Sequence, residues 1–336
     1  MVNTIDAIVA RCRGSASESL HRVQLSQPVP NKHEVLVRMH TSGVNPSDCK
    51  VRSGAQGPMI SEQVLIHNDG AGEIIAIGED CTERAVGDRV WLFNVNRTVD
   101  GSQQGSNGTC ATVVAVPESL AAPLPNNTSY AVGACLGVPA MTAHRAVFCF
   151  GNVKGQRVLV TGGAGSVGNL AVQMATAAGA EVVSTVSSAE KADLAEAAGA
   201  TAVVNYKKED LEQTLLSRYG RGGIDHIVDV DFAAHVAMIP QVLKNGGTVS
   251  AYASGSDLQP AIPYYPLMFN NLLMQMVFVY GMPDAAKQSA IAEINKLLDS
   301  ERLKPLIAQE YALADVVAAH EMVESGGNVG NVVVTL

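Results

Sequence analysis

Residues 157–168 read RVLVTGGAGSVG, an apolar run followed at once by glycines at 162, 163, 165 and 168. Leu170, Val172, Met174 and Ala175 then recur at helical spacing among alanine-rich neighbours. A strand that turns through glycines into a helix makes a cradle for an anion. Gly162 allows the tight turn, Gly165 lets the backbone approach a pyrophosphate, and Gly168 lets the helix lie close on its sheet. The N–H groups at the helix start, on Ser166, Val167 and Gly168, then face the phosphates. The glycine spacing by itself also fits a structural loop, and it is the strand–turn–helix context that points to a dinucleotide.

The strand expected next, 180–186, is a continuous buried run. A site selective for NAD needs a carboxylate at the end of that strand for the ribose 2′-hydroxyl. Here the end reads Thr185-Val186-Ser187-Ser188, and Glu181 lies at the opposite end. Lys191 falls in the first turn of the following helix, where the helix dipole gives a cation no advantage. A third strand, 201–205, ends at Tyr206. Either Lys191 is a solvated surface lysine, or it is the counter-ion of a 2′-phosphate with Ser187, Ser188 and Tyr206 as hydroxyl donors. Donors without an acid at this sheet edge favour NADPH.

The elements that must position these groups alternate along most of the chain. Strands are expected at 158–161, 180–186, 201–205, 225–230, 247–252 and 275–280, interleaved with helices, which describes an α/β doubly wound parallel sheet. Before about residue 127 the pattern is strands (35–39, 70–77, 88–93) and glycine-bearing turns at Gly43, Gly54, Gly78 and Gly87. A polar segment, 94–108, reads as a surface loop, and Pro123 and Pro125 mark a boundary before helices at 130–135 and 141–150. The last fifty residues hold two amphipathic helices and a strand, 331–336, expected to return to the N-terminal domain. The implied domains are 1–127 with 284–336, and 128–283.

At 336 residues, 47% hydrophobic and only 16% charged, the chain suits two packed domains rather than disorder. A net charge of −9 without a basic run argues against a nucleic-acid or anionic-membrane partner. No apolar run approaches the ~18 residues of a membrane span, and the first residues lack a signal-peptide pattern. The six cysteines show no C-x-x-C spacing, as expected of reduced thiols in the cytoplasm.

Five segments together carry a resemblance: GVNPSDCKVRSG (43–54), GVPAMTAHRAV (137–147), VLVTGGAGSVG (158–168), LKPLIAQEYALADVVAAHEMVESG (303–326) and GNVVVTL (330–336). They resemble the medium-chain dehydrogenase/reductase superfamily and, within it, the zinc-free quinone oxidoreductases of the zeta-crystallin group, over nearly the whole chain. The likeness implies a GroES-like β-rich catalytic domain, a six-stranded Rossmann domain, NADPH as cofactor and a homodimer, for which 272–280 offers a pairing edge. Zinc alcohol dehydrogenases of this superfamily place a cysteine where this chain has Asn45 and a histidine where it has Asn68. Amide groups are poor zinc ligands, so no metal is expected. His67 is one position out of register and should face away. The loop 94–110 holds only Cys110, and a shifted site from Cys49, His67 and a carboxylate is the remaining alternative.

Without a Lewis acid to stabilise an alkoxide, an activated alkene is the easier hydride acceptor. Hydride adds to the β-carbon of an enone or quinone, and hydrogen bonds alone can hold the enolate-like charge. The resemblance therefore implies an NADPH-dependent quinone or enone reductase. An enoyl-thioester reductase of the same fold and an NADPH-binding protein with little catalysis are the competing readings.

By the same likeness Asn45 is the leading active-site and cofactor residue, its other reading being a turn residue before Pro46. Lys50 stands where relatives carry a pocket tyrosine, and Arg52 is either at the pocket mouth or, more commonly for an arginine, solvated. Thr142 either bonds the carboxamide or caps its helix, while His144 is read as a packed helix residue. Ser254, Val279 and Tyr280 fall where sheet ends meet the cofactor, and Asn331 where relatives often have a lysine. Asp229 and Asp231 either bind ribose or end their strand. No residue is identified as general acid, and water is the expected proton source.

Overall fold

The computed structural model describes residues 3–98, 101, 103–327 and 329–336. The N-terminal strands are β1 (Thr4–Ala10), β2 (Leu20–Ser26), β3 (Glu34–Val44), β4 (Val64–Leu65), β5 (Asp69–Ile77), β6 (Arg89–Leu92), β7 (Val113–Pro117) and β8 (Ala121–Pro123). They are followed by β9 (Arg157–Val160), β10 (Glu181–Val186), β11 (Ala202–Asn205), β12 (Ile224–Asp229), β13 (Leu243–Ala251) and β14 (Leu273–Met276), then β15 (Ile307–Ala312) and β16 (Asn331–Thr335). Contacts divide the chain into two compact units, Met1–Met141 with Tyr280–Leu336, and Thr142–Val279.

In the first unit one sheet runs β15-β16-β3-β5-β6-β8, with β7 also on β3, and a smaller one runs β2-β1-β4. Alternate apolar positions such as Val35, Val37, Ile74, Val90, Leu92 and Val114 fill the core, as period-2 strands require. The closing strand behaves as its sequence suggests: β16 lies antiparallel to β3, Val332 opposite Val44. Strand β15, parallel to β16, was not legible beforehand.

Three expectations need correction here. Gly43 is not in a turn but inside β3, opposite Val333, where a Cβ would stand 2.2 Å from the Ala134 carbonyl oxygen. The segment 94–108 is not wholly a surface loop. Asn94, Val95 and Asn96 are buried, and Asn96 Nδ2 donates to the Leu65 and Asn107 carbonyls at 2.7 and 2.5 Å. Residues 129–141 pack with the first unit rather than with the nucleotide sheet, Thr41 Oγ1 donating to the Tyr130 carbonyl at 2.7 Å. The helix expected at 130–135 is Tyr130–Gly133, followed by a π-helical turn, Leu136–Ala140. Pro139 inside that turn has no N–H for an α-helical bond, which accounts for the wider winding.

The second unit is a six-stranded parallel sheet of order β11-β10-β9-β12-β13-β14, the Rossmann arrangement. Leu159, Val183, Val204, Ile227 and Val249 form its buried centre. The strand order reverses between β9 and β12, and ligands of such sheets bind beyond the carboxyl ends at that point. The sixth strand departs from expectation. It is Leu273–Met276, and Val279–Gly281 form a 3-10 turn instead of extending to residue 280. Tyr280 belongs to the first unit, where its carbonyl accepts from Asn94 Nδ2 at 3.2 Å and its hydroxyl donates to Ser47 Oγ at 2.7 Å. These bonds take the chain out of the ladder.

The two C-terminal helices are Asp284–Asp299 and Val316–Glu324. All six cysteines are free. Among the described residues no helix is long and apolar enough to cross a membrane.

At Gly168 a Cβ would lie 2.2 Å from the Gly162 carbonyl oxygen, a backbone atom that cannot swing aside. Gly168→Ala is therefore expected to lose about 3 kcal/mol, read as a lower denaturant midpoint at unchanged slope.

Candidate active site and coenzyme cradle

The helix after β9, Ser166–Ala177, is capped by Gly165, which brings no side-chain acceptor to the first turn. Gly162 takes φ +72°, its N–H donates to Thr185 Oγ1 at 2.9 Å, and Gly163 N–H donates to the Thr185 carbonyl at 3.0 Å. The glycine turn is thus tied to the end of β10. A Cβ at Gly163 would meet Ser184 Oγ at 1.9 Å, whereas one at Gly165 would meet only the Gly162 carbonyl oxygen, at 3.3 Å. The side of Gly165 away from the protein is open, the space a phosphate would need. With Ser166 and Val167 opening the helix and Gly168 packed beneath it, these residues fit a dinucleotide.

The next strand ends bring the four remaining candidates to one edge. Val186 pairs with Asn205, and Tyr206 N–H donates to the Val186 carbonyl at 3.1 Å. Ser188 caps the helix Ala189–Ala197, accepting from Lys191 N–H at 3.2 Å and keeping its own hydrogen to donate. Ser187 precedes it, and Lys191 makes no ion pair among the described residues. Lys207 adds a cation that sequence reasoning missed, its ammonium 5.5 Å from the Tyr206 ring centre.

Elsewhere in this unit, Thr142 does not cap a helix, because Met141–Phe148 continues from the π-helical turn. His144 is buried with its ring 4.9 Å from Phe148, a packing role. Ser254 Oγ donates to the Asp257 carbonyl at 2.6 Å and accepts from Ala233 N–H at 3.2 Å, which builds its loop. Asp231 accepts from Ser256 N–H and Oγ, and Asp229 is wholly buried.

In the first unit the sequence Asn45-Pro-Ser-Asp48 starts the helix Pro46–Ser53 with proline at its first position and an acid in its first turn. Asp48 Oδ2 accepts from Asn45 N–H at 2.8 Å, and Asp48 Oδ1 from Asn68 Nδ2 at 2.9 Å. Asn45 Nδ2 donates to Asp69 Oδ2 at 2.7 Å, and the same oxygen accepts from Val138 N–H at 2.8 Å. All four side chains are buried. Burial pushes the Asp48 carboxyl up to about 6, against the pull of its bonds to Asn45 and Asn68. Burial, and then the charge of Asp48, raises Asp69 well above the usual carboxylate range. Neither carboxylate was foreseen, although an acid three residues after an asparagine cap is a legible helix-start signal.

Ser47, also missed, accepts the Tyr280 hydroxyl, whose ring carries the Arg97 guanidinium 3.9 Å from its centre. Tyr280 thus joins the Asn45 helix rather than a sheet end, and Val279 is buried in the turn before it. Lys50 is exposed on that helix. Arg52 is not at a pocket mouth: it is buried, donating to the Gly14 carbonyl and paired with Glu324. Asn331 donates from both its N–H and its Nδ2 to the Leu306 carbonyl, each at 2.8 Å, which fastens β16.

The superfamily's catalytic zinc does not fit this donor set. Asn45 and Asn68 turn their amide nitrogens toward carboxylates, and an N–H donor cannot ligate. The shifted alternative does not assemble either. His67 Nδ1 meets Ser42 Oγ at 2.8 Å and its Nε2 meets His320 Nε2 at 2.9 Å, while Cys49 Sγ lies 3.4 Å from the other nitrogen of His320. Among the described residues no group of three histidines, cysteines or acids is placed to hold a metal.

Residues 31–126 match the alcohol dehydrogenase GroES-like domain family, and residues 166–296 match the zinc-binding dehydrogenase family. The human quinone oxidoreductase is 28% identical over 94% of this chain and 93% of its own length. The Escherichia coli quinone oxidoreductase complexed with NADPH has a TM-score of 0.85 at 25% identity, covering 99% of this chain and 100% of that one. An NAD-dependent alcohol dehydrogenase reaches 0.87 at 26%, over 98% and 99%. The two matched domains together span most of the chain, which belongs to the medium-chain dehydrogenase/reductase superfamily and is similar there to quinone oxidoreductases. It is an oxidoreductase.

The histidine pair sets a pH dependence. Burial and the nearby Arg52 charge hold His320 at about 3, and burial with the facing His320 holds His67 well below its ordinary value. The unfolded chain takes up these protons near pH 6.5, so their contribution is complete above that pH and is lost as pH falls toward 3. Asp48, raised in the fold, works in the opposite direction between about 6 and 4. His320→Gln is expected to flatten the fall of Tm between pH 7 and pH 4, measured against wild type by calorimetry.

Proposed function

We propose that the protein is an NADPH-dependent, zinc-independent reductase that transfers hydride to quinones or α,β-unsaturated carbonyl compounds. The supporting observation is Asn45, its backbone N–H bonded to Asp48 and its side-chain amide to Asp69, in a site where both acids are engaged by amide donors and, among the described residues, no three potential ligands gather around a metal position. Bound NADPH would supply the hydride. Charge arriving at the β-carbon of a conjugated carbonyl spreads to its oxygen, and fixed hydrogen-bond donors suffice to hold it. Ser47 suits that task, because it accepts from Tyr280 and keeps its own hydrogen for a substrate oxygen. Lys50 is assigned to the outer wall of the substrate site, and the α-carbon proton to water.

Two alternatives, thioester reduction and coenzyme binding without turnover, are separated by one screen. NADPH oxidation should be seen with naphthoquinones and enones, survive chelation, and be weak with NADH. Lys191→Glu should raise KM for NADPH at least tenfold while leaving that for NADH nearly unchanged. Preference for crotonyl-type thioesters, activity confined to simple ketones or alcohols, loss on chelation, or equal use of both coenzymes would each overturn the reading.

A homodimer in the cytoplasm belongs to the same proposal. Strand β14 is an edge of its sheet, and Leu273, Met276, Phe278, Tyr264, Tyr265 and Phe269 leave large apolar areas exposed beside it. Sedimentation at micromolar concentration is expected to give a dimer, and Met276→Lys a monomer. A wild-type monomer would contradict this.

A further inference from the structure

At the reversal of strand order in the second unit, one buried carboxylate gathers the ends of two strands. Asp229, the last residue of β12, is fully buried, and its Oδ1 accepts from Thr161 Oγ1 at 2.8 Å, His235 Nδ1 at 2.8 Å and Asp231 N–H at 3.1 Å. Its Oδ2 is buried without a partner. Thr161, immediately before the glycine turn, accepts in return from Val230 N–H at 2.9 Å. The Val230 side chain reaches to 3.3 Å from where a Cβ would stand on Gly162. Carboxylate, hydroxyl and imidazole therefore clamp the residue that opens the glycine cradle to the loop after β12.

We propose that Asp229 and His235 are positioning residues of the coenzyme cradle, and that the proton on His235 sets the charge this clamp presents to an anionic dinucleotide. The inference rests on the coenzyme reading above. The charged and titratable groups facing the clamp are Asp231, from the start of the His235 helix, and the half-buried Tyr252, which follows β13. Bonding to Asp229 and the charges of Asp229 and Asp231 outweigh burial and raise His235 above its ordinary value. With His235 protonated the couple is neutral. When the proton leaves, an uncompensated carboxylate with an orphan oxygen stands under the phosphate cradle, and it repels the coenzyme.

The test is the dissociation constant of NADPH, by fluorescence titration between pH 7 and 9.5, where the coenzyme's own phosphates no longer change charge. Wild-type affinity should weaken several-fold as pH rises through the His235 titration, itself followed by NMR of the imidazole. His235→Gln should bind weakly and without pH dependence. Adding Asp229→Asn to it should restore tight, pH-independent binding, because the pair is neutral again. A pH-flat wild-type profile, or an unaltered profile in His235→Gln, overturns the clamp, and the wild-type measurements decide even if a variant fails to fold. Wild type binding neither NADPH nor NADH would instead overturn the coenzyme reading, and the clamp's role with it.

Discussion

A carboxylate taken out of water must be given hydrogen-bond donors, and much of the first unit is arranged around two that are. Asp48 and Asp69 share one asparagine, Asp48 taking the backbone N–H of Asn45 and Asp69 its amide. That shared residue caps the helix carrying Ser47, Cys49 and Arg52, so the same bonds set the helix start and the site. Asp69 also holds Val138 in the π-helical turn, and Gly137 is bare of a side chain because a Cβ there would lie 2.1 Å from Asp69 Oδ1. Beneath the helix the contacts continue through Cys49 to His320 and His67, and through Arg52 to Glu324. A change in either acid would be felt in the cap, in the turn and in the docking of the C-terminal helix.

The two units treat charge differently. The first buries acids among neutral amides, and burial lifts both acids toward their protonated forms. The second leaves Lys191 and Lys207 near the ends of β10 and β11 with no acid at the end of β10, and keeps its buried carboxylate paired with an imidazole. An anionic coenzyme favours the second arrangement. A substrate whose charge must be spread and held by hydrogen bonds is matched to the first.

What could be read from the sequence followed from local periodicity. The buried runs at β9, β10, β11 and β12 and the glycine turn have signatures within a dozen residues, and they are where expected. The misreadings have long-range causes. Tyr280 leaves the sheet because of Ser47 and Asn94, more than 180 positions away, and Arg52 is drawn inward by Gly14 and Glu324. Nothing near Asn331 in the sequence announces its bonds to the Leu306 carbonyl, 25 positions earlier. Asp48 and Asp69 read as ordinary acids, since nothing local announces that both are buried or that one asparagine bonds to each.

The proposed reaction requires hydride to reach a conjugated carbon with no metal at the carbonyl. Turnover of a simple enone with NADPH deuterated at the transferring position of the nicotinamide, followed by mass spectrometry and NMR of the product, tests this directly. The expected product is a saturated ketone with one deuterium at the β-carbon and an α-hydrogen from solvent. An allylic alcohol bearing its deuterium at the former carbonyl carbon would contradict it.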